Sequence, residues 1–337
     1  MQGEGYSDDP MRDPVSDGAQ ATGRYRDAPL VGLIRNARSH RNAGGRMPDV
    51  PSHNIILRAP RQRSDLAAIL ADFAQQGVEI IVIDGGDGTV RDVLTAGWPL
   101  YREGWPALVV IPSGKTNALA QDLGVPASFT LEDALAAAPA RHVVERRPLL
   151  VSAAADGTPD RLAFVMGAGA FTRAIALGQK SHKLGAFNAA VLGLTAAWSV
   201  LQAMLGRAGN DWRRGSRMTI SRDGEPLPHR GGLPADERYL LLASSLQRFG
   251  AGLDPFRGID SDVQVAVMDN PRRAMLLRFA AIARGRAGRR VRDIGYHVFG
   301  TQRLSVELGE PFILDGEAFA ADTLTVTPGP VLRFIVP

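Results

Sequence analysis

The sequence predicts an α/β chain in two parts: an N-terminal doubly wound parallel sheet, then a C-terminal antiparallel β-sandwich with inserted helices. Three observations carry this reading. From Pro29 to about Ala140, short apolar runs alternate with amphipathic helical runs, the pattern of repeated βα units. Two of the apolar runs, 80–83 and 108–111, end on glycine turns that lead straight into helical patterns. Beyond Arg141, short strand-like runs recur with turn residues between them and only two helical segments intervene.

In the first part, 30–34 is a strand followed by a polar loop over 35–51, and 53–58 is a second strand. Ser64 is placed to cap a helix running to Gln76, with Leu66, Ile69, Leu70 and Phe73 on one face and Gly77 as its stop. Strands at 80–83 and 108–111 flank a helix over 89–96. A further helix over 116–123 closes on Gly124, and Thr130 caps another over 131–138. In the second part, strands are expected at 142–153, 161–166, 217–221, 239–243, 263–268, 303–308 and 323–327.

With 337 residues, two domains are expected: 28–140 for nucleotide binding and 141–337 as a β-rich substrate domain, after a disordered polar tail over 1–27. The absence of cysteine excludes disulfides and thiolate metal sites, and the six histidines have no metal-ligand spacing. Net charge is +4, and the positive residues are almost all arginine, with lysine only at 115, 180 and 183. Sparse aromatics, not interleaved with the arginines, argue against nucleic acid as partner. No secretory signal pattern is present, and the expected location is cytoplasmic, peripherally associated with the inner membrane.

Two segments bear on membranes. The uncharged run 184–205 keeps its bulky residues at three-four spacing, which favours a helix packed on the β-domain or lying at a membrane surface over a membrane span. The segment 271–290 combines Met275, Leu276, Leu277, Phe279 and Ile282 with seven arginines, and reads equally as a membrane-surface patch or a solvated basic face.

The chemistry sits in the turns. Gly85-Gly86-Asp87-Gly88-Thr89 follows a β-branched strand and opens a helix, so its glycines let the backbone approach an anion and its free N–H groups point at it. Asp87 would repel phosphate unless a cation lies between, which suits Mg²⁺-nucleotide better than bare phosphate. Ser113-Gly114-Lys115-Thr116-Asn117 repeats the logic one strand away, although it is not a Walker A loop.

With Pro112, Gly114, Asn117, Ala120 and the Leu123-Gly124 stop, this pair of turns resembles the diacylglycerol kinase catalytic-domain family of bacterial lipid, diacylglycerol, sphingosine and ceramide kinases. Asn36 and Ser39 match the family's opening Asn-Pro-x-Ser loop, with Ala37 replacing the proline. Leu314-Asp315-Gly316-Glu317 matches its Asp-Gly-Glu motif, and Asp260 begins a variant of its metal-holding Asp-Gly segment.

The resemblance implies an NAD-kinase-like first domain and ATP-dependent transfer of a γ-phosphoryl group, with Mg²⁺, to a diacylglycerol, ceramide or sphingoid lipid. Asn36, Ser39, Gly85, Gly86, Asp87, Gly88, Thr89, Gly114, Lys115, Thr116 and Asn117 would hold ATP, Asp87 on the side of the nucleotide's metal, and Asp260 would hold a structural Mg²⁺ in the second domain. Glu317 would be the general base, with Asp315 and Asp87 assisting.

Several positions depart from the pattern: Lys115 stands where threonine is usual, Ala118 where an acid is usual, and Phe171 and Thr172 where an acid follows the Gly167-x-Gly169 turn. Asp223-Gly224-Glu225 repeats the distal tripeptide and reads as a plain hairpin turn. The alternatives left open are an NAD kinase or phosphofructokinase-like enzyme, a catalytically silent lipid-binding regulator, and a homodimer formed through sheet edges.

Overall fold

The computed structural model describes residues 28–44, 54–140, 142–153, 159–175 and 213–337. The expected tail over 1–27 and the apolar helix over 184–205 lie outside the described residues, as does His53. The N-terminal sheet is built from β1 (Val31–Arg35), β2 (Ile55–Arg58), β3 (Ile80–Gly85), β4 (Ala107–Pro112) and β5 (Val143–Arg146). β1 to β4 pair in parallel, and β3 is buried at every position, as a central strand covered on both faces must be. Helices α1 (Asp65–Gln75), α2 (Asp87–Tyr101), α3 (Ala118–Asp122) and α4 (Leu131–Ala140) connect the strands.

The remaining strands are β6 (Leu149–Ala153), β7 (Arg161–Ala163), β8 (Val165–Gly169), β9 (Ser216–Arg222), β10 (Glu225–Pro226), β11 (Glu237–Arg238) and β12 (Leu240–Ser244). They continue as β13 (Val263–Met268), β14 (Tyr296–Thr301), β15 (Leu304–Leu308), β16 (Phe312–Leu314), β17 (Glu317–Phe319), β18 (Thr323–Pro328) and β19 (Leu332–Ile335). One antiparallel sheet runs β10-β9-β15-β18-β6-β7 and the other β14-β13-β12-β8-β16-β17. Met166, Leu241, Val265, Leu304, Val306 and Val326 from the two sheets fill one core between them, which makes the expected sandwich.

The chain does not divide at residue 140. β19 returns from the sandwich to lie parallel to β4, and β5 pairs antiparallel with it, so both complete the first sheet. Buried Leu332, Phe334 and Ile335 join the first core, and burying that apolar edge is the reason for the return.

Helix boundaries differ from the sequence expectation in ways that matter for the site. α2 begins at Asp87 rather than Thr89, because Gly86 is extended (φ −99°, ψ −176°) and serves as its N-cap. It continues past Ala96 through Pro99, held by buried Val93, Leu94 and Trp98. α3 starts at Ala118 because Asn117 is left-handed (φ 51°) and closes its own turn: its Oδ1 accepts Gly114 N–H at 2.8 Å and its Nδ2 donates to Gly114 C=O at 3.0 Å.

Ser64 makes no capping bond. The carboxylate of Asp65 instead accepts N–H groups from Arg61 and Gln62. Thr130 and Asp133 do form the expected reciprocal cap. The segment 271–290 is not one helix: it folds as Arg273–Leu276, Phe279–Ile282 and Arg289–Asp293, with Gly285 (φ +69°) among the residues that interrupt it.

A candidate active site between the sheet and the sandwich

The two glycine turns meet back to back. A Cβ added to Gly86 would stand 2.8 Å from Gly114 Cα, and one added to Gly114 would stand 2.5 Å from Gly86 Cα. Only glycine fits either position, so the two turns meet backbone to backbone. Thr89 packs under Gly85, and its Oγ1 accepts a hydrogen bond from Asn36 Nδ2 at 2.7 Å. Ser39 donates its hydroxyl to Asn36 C=O at 2.9 Å. Asn36, Ser39, Gly85, Gly86, Gly88, Thr89, Gly114 and Asn117 are therefore gathered at the carboxyl ends of β1, β3 and β4. Lys115 and Thr116 stand exposed on the outer rim of the second turn.

Asp84, which sequence reasoning missed, holds this framework from below. Its carboxylate accepts from Arg35 (2.6 Å), Asn42 (2.9 Å) and Ser113 (2.5 Å), and it is 3% exposed. These charge-assisted bonds lock the first loop and both turns to the end of β3. Its position as the last apolar-strand residue before the glycines was visible, but nothing in the sequence named its partners.

Asp87 does two jobs at once. Its carboxylate oxygens accept the N–H groups of Ala118 (3.0 Å) and Leu119 (3.1 Å), so the first residue of α2 caps α3 and ties the turns together. Burial pushes its carboxyl above the ordinary range against the pull of those backbone donors.

Beside it lies Asp315, delivered by the β16–β17 hairpin of the sandwich. Asp315 (φ 43°) and Gly316 (φ 84°) both adopt positive φ, a two-residue type I′ turn. Its carboxylate accepts the N–H groups of Phe164 and Val165. Burial first, and then the charge of Asp87, push this carboxyl up to about 7. Both aspartates nevertheless keep part of their surface open to solvent.

Glu317 sits one step further along the hairpin. Arg91, one turn along α2 from Asp87 and only 2% exposed, donates to it at 2.5 Å and to Leu314 C=O at 2.9 Å. Arg63 donates to the same carboxylate and pairs with Asp92 at 2.7 Å. Burial works upward on Glu317, but the Arg63 hydrogen bond and the Arg91 charge outweigh it and hold its carboxyl below the ordinary value.

Arg161 stacks 4.5 Å from the Phe319 ring centroid. Burial, followed by the Arg91 and Arg63 charges, lowers its pKa. None of these three arginines stood out in an arginine-rich sequence, although the i+4 spacing of Arg91 from Asp87 puts both on one face of α2.

Asp260 is not part of this cluster. It lies exposed after β12, in a surface groove with Arg222, Asp223, Ser261 and Gln302. Among the described residues no group of three or more acidic or histidine side chains is arranged to hold a metal ion. Gly167 and Gly169 lie in β8, where Phe171 fills the space beside Gly167. The fully buried Asp122 links the two halves, pairing with Arg146 at 2.6 Å and accepting the N–H groups of Gln247 and Arg248.

Residues 49–148 match the family described as the diacylglycerol kinase catalytic domain. A Cronobacter sakazakii protein described as a "Probable lipid kinase YegS-like" is 33% identical over 79 residues, covering 23% of this chain and 26% of that protein. A Chromohalobacter salexigens protein of the same description is 30% identical over 99 residues, 28% of this chain and 32% of its own. The matched stretch thus spans about a quarter to a third of these curated relatives. The whole fold is similar to a solved structure described as a diacylglycerol kinase from Bacillus anthracis str. Sterne. That similarity has a TM-score of 0.59 at 18% identity, covering 91% of this chain and 96% of that one.

Proposed function

From the membership of residues 49–148 in the diacylglycerol kinase catalytic-domain family, we propose that this protein is a lipid kinase. It transfers the γ-phosphoryl group of ATP to the hydroxyl of a diacylglycerol, ceramide or sphingoid-type lipid. One observation carries the reading: Asp315, delivered by the sandwich hairpin, lies beside Asp87, whose carboxylate closes two abutting glycine turns.

The glycine turns fit a triphosphate. Their backbones touch at Gly86 and Gly114 with no room for a side chain between them, beside the N-terminus of α2, whose first-turn N–H groups favour an anion. Asp87 would supply an oxygen ligand to a Mg²⁺ that accompanies the nucleotide, which leaves Asp315 outside the metal's ligands and able to take up a proton. When bound, such an ion offsets charge on the phosphates. Asp260 has no place in this set.

Asp315 accepts the proton of the lipid alcohol. A base that titrates near neutrality is half ionised at working pH and still basic enough to draw the proton as the phosphoryl group arrives. Glu317, saturated by two guanidinium groups and held at low pKa, is the weaker base, and its role is to position Arg91 against the hairpin.

The test is to incubate purified protein with γ-labelled ATP, Mg²⁺ and mixed-micelle lipids and to resolve products by class. Label in a lipid phosphate that vanishes in Asp315→Asn supports the reading. Label in NADP or in a sugar phosphate, or none at all, contradicts it.

A further inference from the structure

The three short helices that follow β13 carry a concentration of charge that the proposed chemistry does not use. Between 271 and 293 lie eight arginines, at 272, 273, 278, 284, 286, 289, 290 and 292, against one acid, Asp293. All eight are exposed. Among the described residues none of them pairs with a carboxylate; Arg272 bonds only to the Asn270 side chain and Arg284 to Ala280 C=O.

The helices are not loose appendages. Met275, Ile282 and Val291 are buried in one cluster with Tyr239, Phe256 and Tyr296, which anchors the helices to the body of the protein. Leu277 nevertheless projects into solvent at 69% exposure, between Arg273 and Arg278. The loop bearing Leu253, another exposed leucine, is bonded to the same helices through Asp254 N–H and Ala283 C=O at 2.8 Å. One face thus combines an exposed leucine with arginines that have no carboxylate partner among the described residues.

We propose that this face docks on an anionic lipid bilayer, the arginines against headgroup phosphates and Leu277 inserted at the acyl boundary. Charge complementarity selects a polyanion, and the bare leucine selects a bilayer over nucleic acid. A nucleic-acid surface would call for aromatic stacking faces, and the segment has one half-buried aromatic, Phe279. No helix among the described residues is long and apolar enough to cross a membrane, so the contact is one of surface attachment. Docking needs no nucleotide and no turnover, so it can fail or hold independently of the kinase reading.

The full chain is floated with phosphatidylcholine vesicles, with and without phosphatidylglycerol, in parallel with duplex DNA. Binding to the anionic vesicles alone is expected, weakening as salt rises. Each arginine changed to glutamine at 273, 278 and 289 should weaken partitioning about fivefold, and the triple variant about a hundredfold. Leu277→Ser should weaken vesicle binding about fivefold to tenfold and leave DNA binding unchanged. All four sites are exposed, so an unchanged melting temperature shows that the fold is intact. Equal binding to neutral vesicles, full binding by the triple variant, tighter binding to DNA, or indifference to Leu277→Ser would each overturn the proposal.

Discussion

The chain contains the tripeptide Asp-Gly-Glu twice, at 223–225 and at 315–317, and the two copies fold into the same turn. Asp223 (φ 50°) and Gly224 (φ 93°) join β9 to β10 as Asp315 (φ 43°) and Gly316 (φ 84°) join β16 to β17. The backbone is common because the Asp-Gly pair is suited to positive φ at both positions. What differs is the surroundings.

Asp223 is exposed. Slight burial works upward on its carboxyl, but Thr301, Arg303 and Gln302 donate to it and lower it. Asp315 lies beside Asp87 and is raised to about 7, by burial first and then by that charge. Local sequence sets the turn, and what the turn faces sets the direction of the carboxyl's shift.

The largest expected effect separates the two copies by activity. Asp315→Asn should lower kcat about 10²- to 10⁴-fold, the range for loss of a general base, whereas Asp223→Asn should leave kcat unchanged. Steady-state phosphoryl transfer by the two variants checks this.

Next is the pairing that only the second copy has. Arg91→Ala removes a buried guanidinium that holds Glu317 and Leu314 C=O, and should destabilise the fold by about 2–3 kcal/mol in urea unfolding. Glu317→Gln should cost less and leave kcat within about tenfold of wild type, because on this account Glu317 is not the base.

The pH dependence of stability should have opposite signs at the two aspartates. The folded pKa of Asp315, about 7, lies above its unfolded value, so the folded state keeps a proton that the unfolded chain releases. Stability is therefore lost as pH rises from about 4 to about 7. Asp315→Asn should melt higher than wild type at about pH 8, with the gap closing toward about pH 4. Asp223 has a lowered pKa, so it stabilises above its unfolded value and loses that contribution as pH falls. Asp223→Asn should accordingly melt lower at about pH 8.

The smallest effect should be shared. Gly224→Ala and Gly316→Ala place a side chain at φ 93° and 84°, and each should cost about 1 kcal/mol. Unequal costs would show that the two turns are not equivalent in backbone.

The parallel strands and both glycine turns were legible because β-branched runs ending on glycine leave few other foldings. The sandwich was legible from recurring short strands. β19 was not legible: the last strand expected from the sequence is 323–327, and no local signal says that residues further on pair with β4, far upstream in the chain. The abutment of Gly86 on Gly114 likewise depends on adjacent strands coming into register.

The proposed base rests on contacts that the tripeptide does not announce: Arg63 from the loop before α1 and Arg91 from α2 engage Glu317, and they distinguish it from Asp315. Asp87 was legible as a site residue, and its capping of α3 was not, because that bond joins two turns that are remote in sequence.

The central claim is that Asp315 is the proton acceptor. The pH profile of kcat/KM for phosphoryl transfer to a lipid acceptor tests it most directly. The account predicts a rising limb with an apparent pKa near 7, unchanged in Glu317→Gln. A rate that stays flat down to about pH 5, as the low-titrating Glu317 would impose, would contradict it.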